Sequence, residues 1–169
     1  AMKVAPAAIL ADVADNPGGG GSGNTTWIIE ALVNAGAEGV LMGVFNDPAL
    51  SAVAETVGEG NEFQAIFNAD TESEFSKRFE VQAKVLALHD GTCVGRRGIW
   101  AGRSLDLGTC ALLQIGGIKV VVGSVRKQCA DPIFFEMFGL DIGEANAVVV
   151  KSRGHFRAGF DEFFPHEQV

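Results

Sequence analysis

Residues 4–45 read VAPAAILADVADNPGGGGSGNTTWIIEALVNAGAEGVLMGVF. Residues 4–13 are an apolar, β-compatible run, and the turn residues 15–23 that follow contain four consecutive glycines. Polar residues at 24–26 can cap a helix that ends at Gly36. A second apolar run, 39–45, follows at once. Strand, helix and strand in this order predict a βαβ unit with a parallel strand pair. The predicted apolar face of its helix consists of Trp27, Ile28, Leu32 and Val33.

The rest of the chain predicts a mixed sheet. Asp47 and Pro48 are typical of the N-cap and first residue of a helix, which we expect to reach Gly58. The middle of the chain favours antiparallel strands, with a two-glycine hairpin turn at 116–117. The fold class predicted is α/β: a single domain in three layers, with a mixed parallel and antiparallel sheet and flanking helices. The remaining predicted strands are 63–67, 79–88, 108–115, 118–123 and 147–151, and the remaining helices are 133–138 and 154–164.

Composition limits the classes of function. The 169 residues carry a net charge of −8 and only small basic clusters, at 96–103 and 126–127, which argues against nucleic-acid binding. No apolar run is long enough for a membrane-spanning helix, and no secretory signal is visible, so we expect a cytoplasmic protein that binds no membrane. Three widely spaced cysteines suit buried thiols in a reducing compartment. Ala1 before Met2 is typical of a cloning scar, so the domain is expected to cover residues 3–169.

The glycine-rich turn is the first candidate site. Ordering Gly18, Gly19, Gly20 and Gly21 costs backbone entropy, which suggests a need for close approach, positive φ angles or free amides. Amides at a helix N-terminus would form an anion-binding nest. The turn matches neither a Walker loop nor a clean dinucleotide fingerprint, and a flexible connection remains an equal alternative. Asp12, Asp15 and Asn16 favour a site, because they follow a strand at its carboxyl end, where α/β sheets bind ligands.

Polar residues also follow three other predicted strands. Asn46 and Asp47 come after the second strand, where helix capping is the simpler interpretation. Arg126, within SVRKQ at 124–128, could hold a carboxylate bidentately or pair with a surface acid. Ser152 and His155 follow the last strand. If these strand ends converge, they form one polar edge of the sheet.

His155 is placed by the prediction in the first turn of the last helix, where the helix dipole would keep the imidazole neutral. A neutral imidazole can ligate a metal or accept a proton, although packing or capping is the commoner role of a single histidine. Asp12, Asp15 and His155 are therefore weak candidates for a metal site, which requires that the fold bring them within ligand distance.

These segments together resemble one family, the microcystinase C (MlrC) type metallopeptidases. The resemblance is carried by ADVADNPGGG at 11–20 with Thr25 and Thr26, by SVRKQ at 124–128 with Asp131-Pro132 and FGLD at 138–141, and by VVVKS at 148–152 with HFRA at 155–158 and Phe160. The motifs follow in order along nearly the whole chain and are similar to those of the family's C-terminal domain. Asn24 departs from the pattern, which has an aspartate before the threonines.

The resemblance implies a hydrolase that uses zinc and cleaves linearised peptides. It also implies that zinc is bound by a separate N-terminal domain, which is absent from this chain and would be its partner. The C-terminal domain would then line the substrate cleft and be inactive alone. The residues implied to line this cleft are Asp15, Asn16, Gly18, Gly19, Gly20, Gly21, Ser152 and His155, and no catalytic role is assigned to any of them.

Two alternatives stay open at this stage. The chain could be a self-sufficient module that binds an anion or a small carboxylate on the glycine-rich turn with the help of Arg126. It could also be a metal enzyme in its own right, using Asp12, Asp15 and His155. The leading interpretation remains the C-terminal domain of an MlrC-like zinc metallopeptidase with a peptide ligand.

Overall fold

A computed structural model describes residues 8–71 and 73–164. Residues 4–7 of the predicted first strand lie outside these ranges, as do residues 1–2, the predicted cloning scar. The main sheet has seven strands in the order β1-β9-β2-β8-β7-β4-β3, and β5 and β6 form a separate two-stranded sheet. The strands are β1 Ala8–Ala11, β2 Glu38–Asn46, β3 Glu62–Phe67, β4 Phe79–His89, β5 Thr92–Val94, β6 Ser104–Asp106, β7 Cys110–Ile115, β8 Gly117–Gly123 and β9 Ala147–Val150. The helices are α1 Trp27–Asn34, α2 Pro48–Val57, α3 Ile133–Glu136 and α4 Arg157–Phe160.

The sheet is mixed, as predicted. Strands β1, β9, β2 and β8 run parallel, whereas β7, β4 and β3 continue the sheet antiparallel. The predicted βαβ unit is present, but its two strands are not neighbours, because β9 lies between β1 and β2. The strand that completes the parallel half therefore comes from the far end of the chain, which the local pattern of residues 4–45 does not indicate.

Helices on both faces of the sheet give three layers. Ile29 of α1 and Leu50 of α2 belong to one core cluster, and Phe134 of α3 and Phe160 of α4 to the other. Strand β9 serves both clusters, because Val148 and Val149 point to opposite faces, as alternation along a strand requires. The predicted α/β fold with flanking helices is thus confirmed. None of the helices within residues 8–71 and 73–164 is long and apolar enough to cross a membrane.

Some predicted elements differ in extent or orientation. Asp47 is the N-cap of α2, as predicted, and accepts a hydrogen bond from the Leu50 amide at 3.0 Å. In α1, however, Ile29 is the fully buried residue, whereas Trp27 is half exposed and lies under the Lys77 ammonium. The predicted helix 154–164 is wrong in length, because only α4 is helical, and His155 therefore precedes the helix instead of lying in its first turn.

The antiparallel half of the sheet curls over the parallel half. Three strands separate β2 from β3 in the sheet, yet the rings of Phe45 and Phe67 lie 4.9 Å apart, edge to face. The Asn68 amide, directly after β3, donates to the Asp47 carboxylate at 2.7 Å. The segment after β3 therefore lies beside the carboxyl end of β2, next to the candidate site.

Candidate functional site

A buried lysine at the end of β9 ties two strand ends together. The Lys151 ammonium lies 2.9 Å from Asp12 Oδ2 and 2.8 Å from Asp15 Oδ2, and its side chain is fully buried. It also donates to the backbone oxygen of Thr25 at 3.1 Å and to Thr25 Oγ1 at 3.2 Å. The ring of Phe45 lies 5.2 Å from the ammonium. An ammonium that is buried so completely needs these compensating groups, since an unpaired charge in the interior is costly.

Asp15 organises the turn that follows β1. Its carboxylate accepts from the amides of Gly23 and Thr25 at 2.7 and 2.8 Å, and from Thr25 Oγ1 at 3.0 Å. Burial by itself would raise the pKa of Asp15, but the Lys151 ammonium and these hydrogen bonds outweigh it and hold the pKa below its ordinary value of 3.8. Asp15 is thus an ionised anchor of the glycine-rich turn.

Asp12, Asp15 and His155 do not fit a zinc ion. Lys151 stands between the carboxylates of Asp12 and Asp15, where a metal would have to bind. His155 contacts Gln128 instead. No group of three or more His, Cys, Asp or Glu side chains that could hold a metal is found in the described part of the chain. We therefore assign no metal chemistry to Asp12, Asp15 and His155.

The glycine-rich turn is closed by its own hydrogen bonds. Asn16 Oδ1 accepts from the Gly18 amide, and the Asn16 carbonyl accepts from the amides of Gly19 and Gly21. The Gly20 amide donates to the Pro17 carbonyl. Helix α1 begins only at Trp27, so the glycines form a separate 3₁₀ turn and do not stand at the N-terminus of that helix. An anion on these amides would have to replace internal acceptors.

Gln128 lies at the centre of a second set of contacts. Its side chain, in a residue only 5 % exposed, donates from Nε2 to Ser152 Oγ at 2.8 Å, and its Oε1 lies 3.3 Å from Nδ1 of His155. A Cβ atom at Gly18 would come within 2.2 Å of that Oε1. The glycine-rich turn, the end of β9 and the segment after β8 thus meet at one side chain.

Arg126 and Asn46 fasten the far end of the turn. Arg126 Nη1 donates to the Gly21 carbonyl at 3.2 Å, and Asn46 Nδ2 donates to the Ser22 carbonyl at 3.2 Å. The Asn46 amide also donates to the Gly23 carbonyl at 2.8 Å. The four predicted polar clusters do converge, because the carboxyl ends of parallel strands share one edge of the sheet.

The convergent edge combines a buried frame with an exposed surface. Asp12, Asp15, Lys151, Ser152 and Gln128 are buried, whereas Gly18, Gly19, Gly20, Arg126, Arg153 and His155 are exposed. Burial thus separates predicted site residues that support the turn from those that a ligand can reach. Their roles in binding stay a prediction.

The central positions of Lys151 and Gln128 were not predicted from the sequence. A lysine directly after the apolar run 147–150 is a signal of a buried charge, because the chain has little length in which to turn it towards solvent. Two aspartates at the end of another parallel strand are its natural partners. Gln128 is the last residue of the SVRKQ motif, but the motif does not indicate its contacts, because these come from three distant segments.

Comparison with known proteins places these features in a family. The family model described as MlrC C-terminus matches residues 10–165. A relative, microcystinase C of Sphingomonas sp, is 25 % identical over 154 residues, which cover 91 % of this chain and 30 % of the relative. The chain is also similar in fold to a proposed metallopeptidase of Mesorhizobium sp. BNC1, whose crystal structure gives a TM-score of 0.82 at 22 % identity and over 94 % of this chain and 32 % of the other.

The matched region is a limited part of each relative. The chain spans about a third of the length of both, and the identity to the crystallised protein is low enough that this likeness concerns the fold alone. The family match extends from β1 to the end of the described residues and includes the glycine-rich turn, Gln128, Lys151 and His155. The chain belongs to the MlrC C-terminus family.

Proposed function

We propose that this chain works as the C-terminal domain of an MlrC-like zinc metallopeptidase and lines the substrate cleft without being catalytic alone. The observation that carries the proposal is the convergent edge: four strand ends meet there, and the residues after β1, β8 and β9 form an exposed surface, on a family domain with no metal-ligand set among its described residues. Such a surface can bind and orient a substrate, since positioning is a large part of enzymatic rate enhancement.

The buried residues of the convergent edge suit a cleft surface that must keep its shape. Lys151 holds Asp12 and Asp15, and Asp15 in turn fixes the amides of Gly23 and Thr25. The backbone of the turn is thereby held in place before any ligand arrives. A preorganised surface loses less entropy on binding, which favours a role in substrate recognition.

The catalytic machinery is proposed to lie in an N-terminal domain of the same parent protein. That domain would bind the zinc ion, which polarises the scissile carbonyl and activates water in peptidases of this kind. The ligand of the combined cleft would be a peptide. Three free cysteines, two of them buried, favour a reducing compartment, so the cytoplasm is the proposed location.

Metal content and activity together test whether this chain alone binds zinc and cleaves peptides. The purified chain is incubated with zinc, dialysed and analysed for bound metal, and linear peptides are then assayed for cleavage. We expect neither stoichiometric zinc nor turnover, whereas the parent protein should show both. Tightly held zinc with peptidase activity in this chain alone would contradict the proposal.

Substitutions in the parent protein test the cleft-lining role. Replacing His155 or Arg126 with alanine should lower kcat/KM at least tenfold, corresponding to the loss of about 1.4 kcal/mol of transition-state binding, with zinc content unchanged. Lys84→Ala, in β4, is the matched control and should leave kcat/KM unaltered. Equal activity of all three variants would exclude this surface from the cleft.

The anion-binding alternative has its own test in this chain. Phosphate, citrate and short peptides are titrated while the amide NMR signals of Gly18–Gly21 are followed. Because these amides donate to Asn16 and Pro17, we expect no saturable shift at those glycines. A saturable shift at these signals would support a self-sufficient binding module instead.

A further inference from the structure

One side chain connects the glycine-rich turn to His155. Gln128 Oε1 lies 3.3 Å from His155 Nδ1, and the same oxygen is the closest atom to the position that a Cβ of residue 18 would occupy, at 2.2 Å. Glycine at position 18 therefore leaves the space in which the Gln128 carboxamide sits. Gln128 is buried, and Nε2 of the same carboxamide donates to Ser152 Oγ.

The orientation of the Gln128 carboxamide places its oxygen beside the imidazole. Nε2 donates to Ser152 Oγ at 2.8 Å, and Oε1 lies 3.3 Å from Nδ1 of His155. A carboxamide oxygen can only accept, and a neutral imidazole has one N–H donor and one acceptor nitrogen. The contact at Nδ1 is favourable only when Nδ1 carries the hydrogen, which leaves the lone pair on Nε2.

We propose that Gln128 is a positioning residue that holds His155 in the Nδ1–H tautomer, with Nε2 as a hydrogen-bond acceptor on the exposed edge of the sheet. The inference rests on the proposed function for its purpose: in the cleft, Nε2 would accept a hydrogen bond from a backbone N–H of the peptide substrate. Gly18 is part of the same device, because any side chain there displaces Gln128.

Two features make the arrangement more than a chance contact. The Gln128 backbone is fixed as well, because Trp100 Nε1 donates to its carbonyl oxygen at 3.3 Å. His155 itself is exposed, so its Nε2 side is open to a ligand while Nδ1 faces the protein. A buried acceptor behind an exposed imidazole sets the tautomer in the way that outer-shell partners orient histidines in functional sites.

NMR of the chain tests the tautomer directly. Long-range ¹H–¹⁵N correlation spectra of the histidine rings at pH 8 distinguish a protonated nitrogen from one that bears a lone pair. We expect wild-type His155 to be mainly Nδ1–H. A ring that is mainly Nε2–H, the form preferred by an unconstrained side chain, would overturn the proposal, because it would mean that Gln128 presents its amide group instead.

Variants of Gln128 test its part in the effect. Gln128→Met keeps the length of the side chain but removes the acceptor, and should reduce the ratio of the Nδ1–H to the Nε2–H form about fivefold, the factor expected for one net hydrogen bond. Gln128→Glu retains an acceptor oxygen and should keep the Nδ1–H form. An unchanged ratio in Gln128→Met would refute the role of Gln128.

Two glycine variants provide a second test that leaves Gln128 itself intact. Gly18→Ala pushes Gln128 Oε1 out of place and should shift the His155 tautomer ratio in the same direction. Gly19→Ala is the matched control, since its Cβ would meet only the end of the Asn16 side chain, at 3.0 Å. Equal spectra for both variants would show that residue 18 is not coupled to His155.

Activity of the parent protein separates this inference from the proposed function. If the inference and the proposed function both hold, Gln128→Met should lower kcat/KM, whereas Gln128→Glu should keep most of the wild-type value. The zinc content should be the same in both variants. If the NMR result is as expected but Gln128→Met cleaves peptides at the wild-type rate, the inference about the tautomer stands and the purpose given to it in the cleft fails.

Discussion

The Lys151 ammonium lies 2.8 Å from Oδ2 of Asp15, and both side chains are almost completely buried. This ion pair joins the end of β9 to the turn after β1, two segments separated by 136 positions in the chain. The same carboxylate holds the amides of Gly23 and Thr25. One buried interaction therefore defines both the local shape of the glycine-rich turn and its place on the sheet.

Replacing Lys151 should strongly destabilise the chain. In Lys151→Met the carboxylates of Asp12 and Asp15 stay buried without a counter-charge, and we expect the free energy of unfolding to fall by about 3–5 kcal/mol. Lys119→Met, at a partly exposed position on β8, should change it by less than about 1 kcal/mol. Urea unfolding followed by circular dichroism measures both. A loss in Lys151→Met no larger than in the control would contradict the role given to the ion pair.

Stability should fall in acid because of Asp15. The pKa of Asp15 in the folded protein lies below its ordinary value of 3.8, so the group contributes stability above that value. This contribution should be lost as the pH falls from about 4 through the folded pKa, because the unfolded chain binds the proton first.

Urea unfolding at a series of pH values between 7 and 2 checks the effect. Asp15→Asn should be less stable than wild type at neutral pH and should show a shallower decline in acid. The exposed Asp161 provides the control, since Asp161→Asn should retain the wild-type slope. Parallel wild-type and Asp15→Asn curves would show that Asp15 is not the titrating group.

Two glycines near His155 should respond oppositely to alanine. Gly159 lies in α4, where alanine is ordinarily preferred, but a Cβ there would come within 2.2 Å of the Ala130 carbonyl oxygen. We expect Gly159→Ala to lower the free energy of unfolding by about 1–3 kcal/mol. Gly154 has open space around it, so Gly154→Ala should be neutral or stabilise by up to about 1 kcal/mol. Thermal unfolding of the two variants measures the contrast, and a stabilised Gly159→Ala would disprove the close approach.

The buried cysteines should be inert in the folded protein. Burial raises the pKa of the Cys110 thiol to about 12, and it raises that of Cys129 as well. Since the thiolate is the reactive form, neither should react with a thiol reagent such as 5,5′-dithiobis(2-nitrobenzoic acid) at pH 8. Cys93 is half buried and should react slowly. All three should react rapidly in guanidinium chloride, and fast native reaction of Cys129 would contradict its complete burial.

Much of the fold was predictable because it depends on local chemistry. The hairpin at Gly116 and Gly117 and the helix start at Asp47 and Pro48 follow from backbone preferences that act over a few residues. Motif order along the chain indicated the family, which the match over residues 10–165 confirmed. The polar strand ends were recognisable too, since parallel strands end at a common edge.

Tertiary structure alone decided how those residues are used. Residues 147–151 predict a strand, yet only strand pairing in space inserts β9 between β1 and β2 and brings Lys151 to Asp12 and Asp15. The aromatic segment 154–164 predicts a helix, but only α4 is helical in the folded chain. Gly159 of this short helix packs closely against the backbone of Ala130. Local sequence determines conformational preference over a few residues, whereas the partner of a buried charge depends on segments more than a hundred positions away. The glycine-rich turn was visible in the sequence, and its partners Lys151 and Gln128 became visible only in the folded chain.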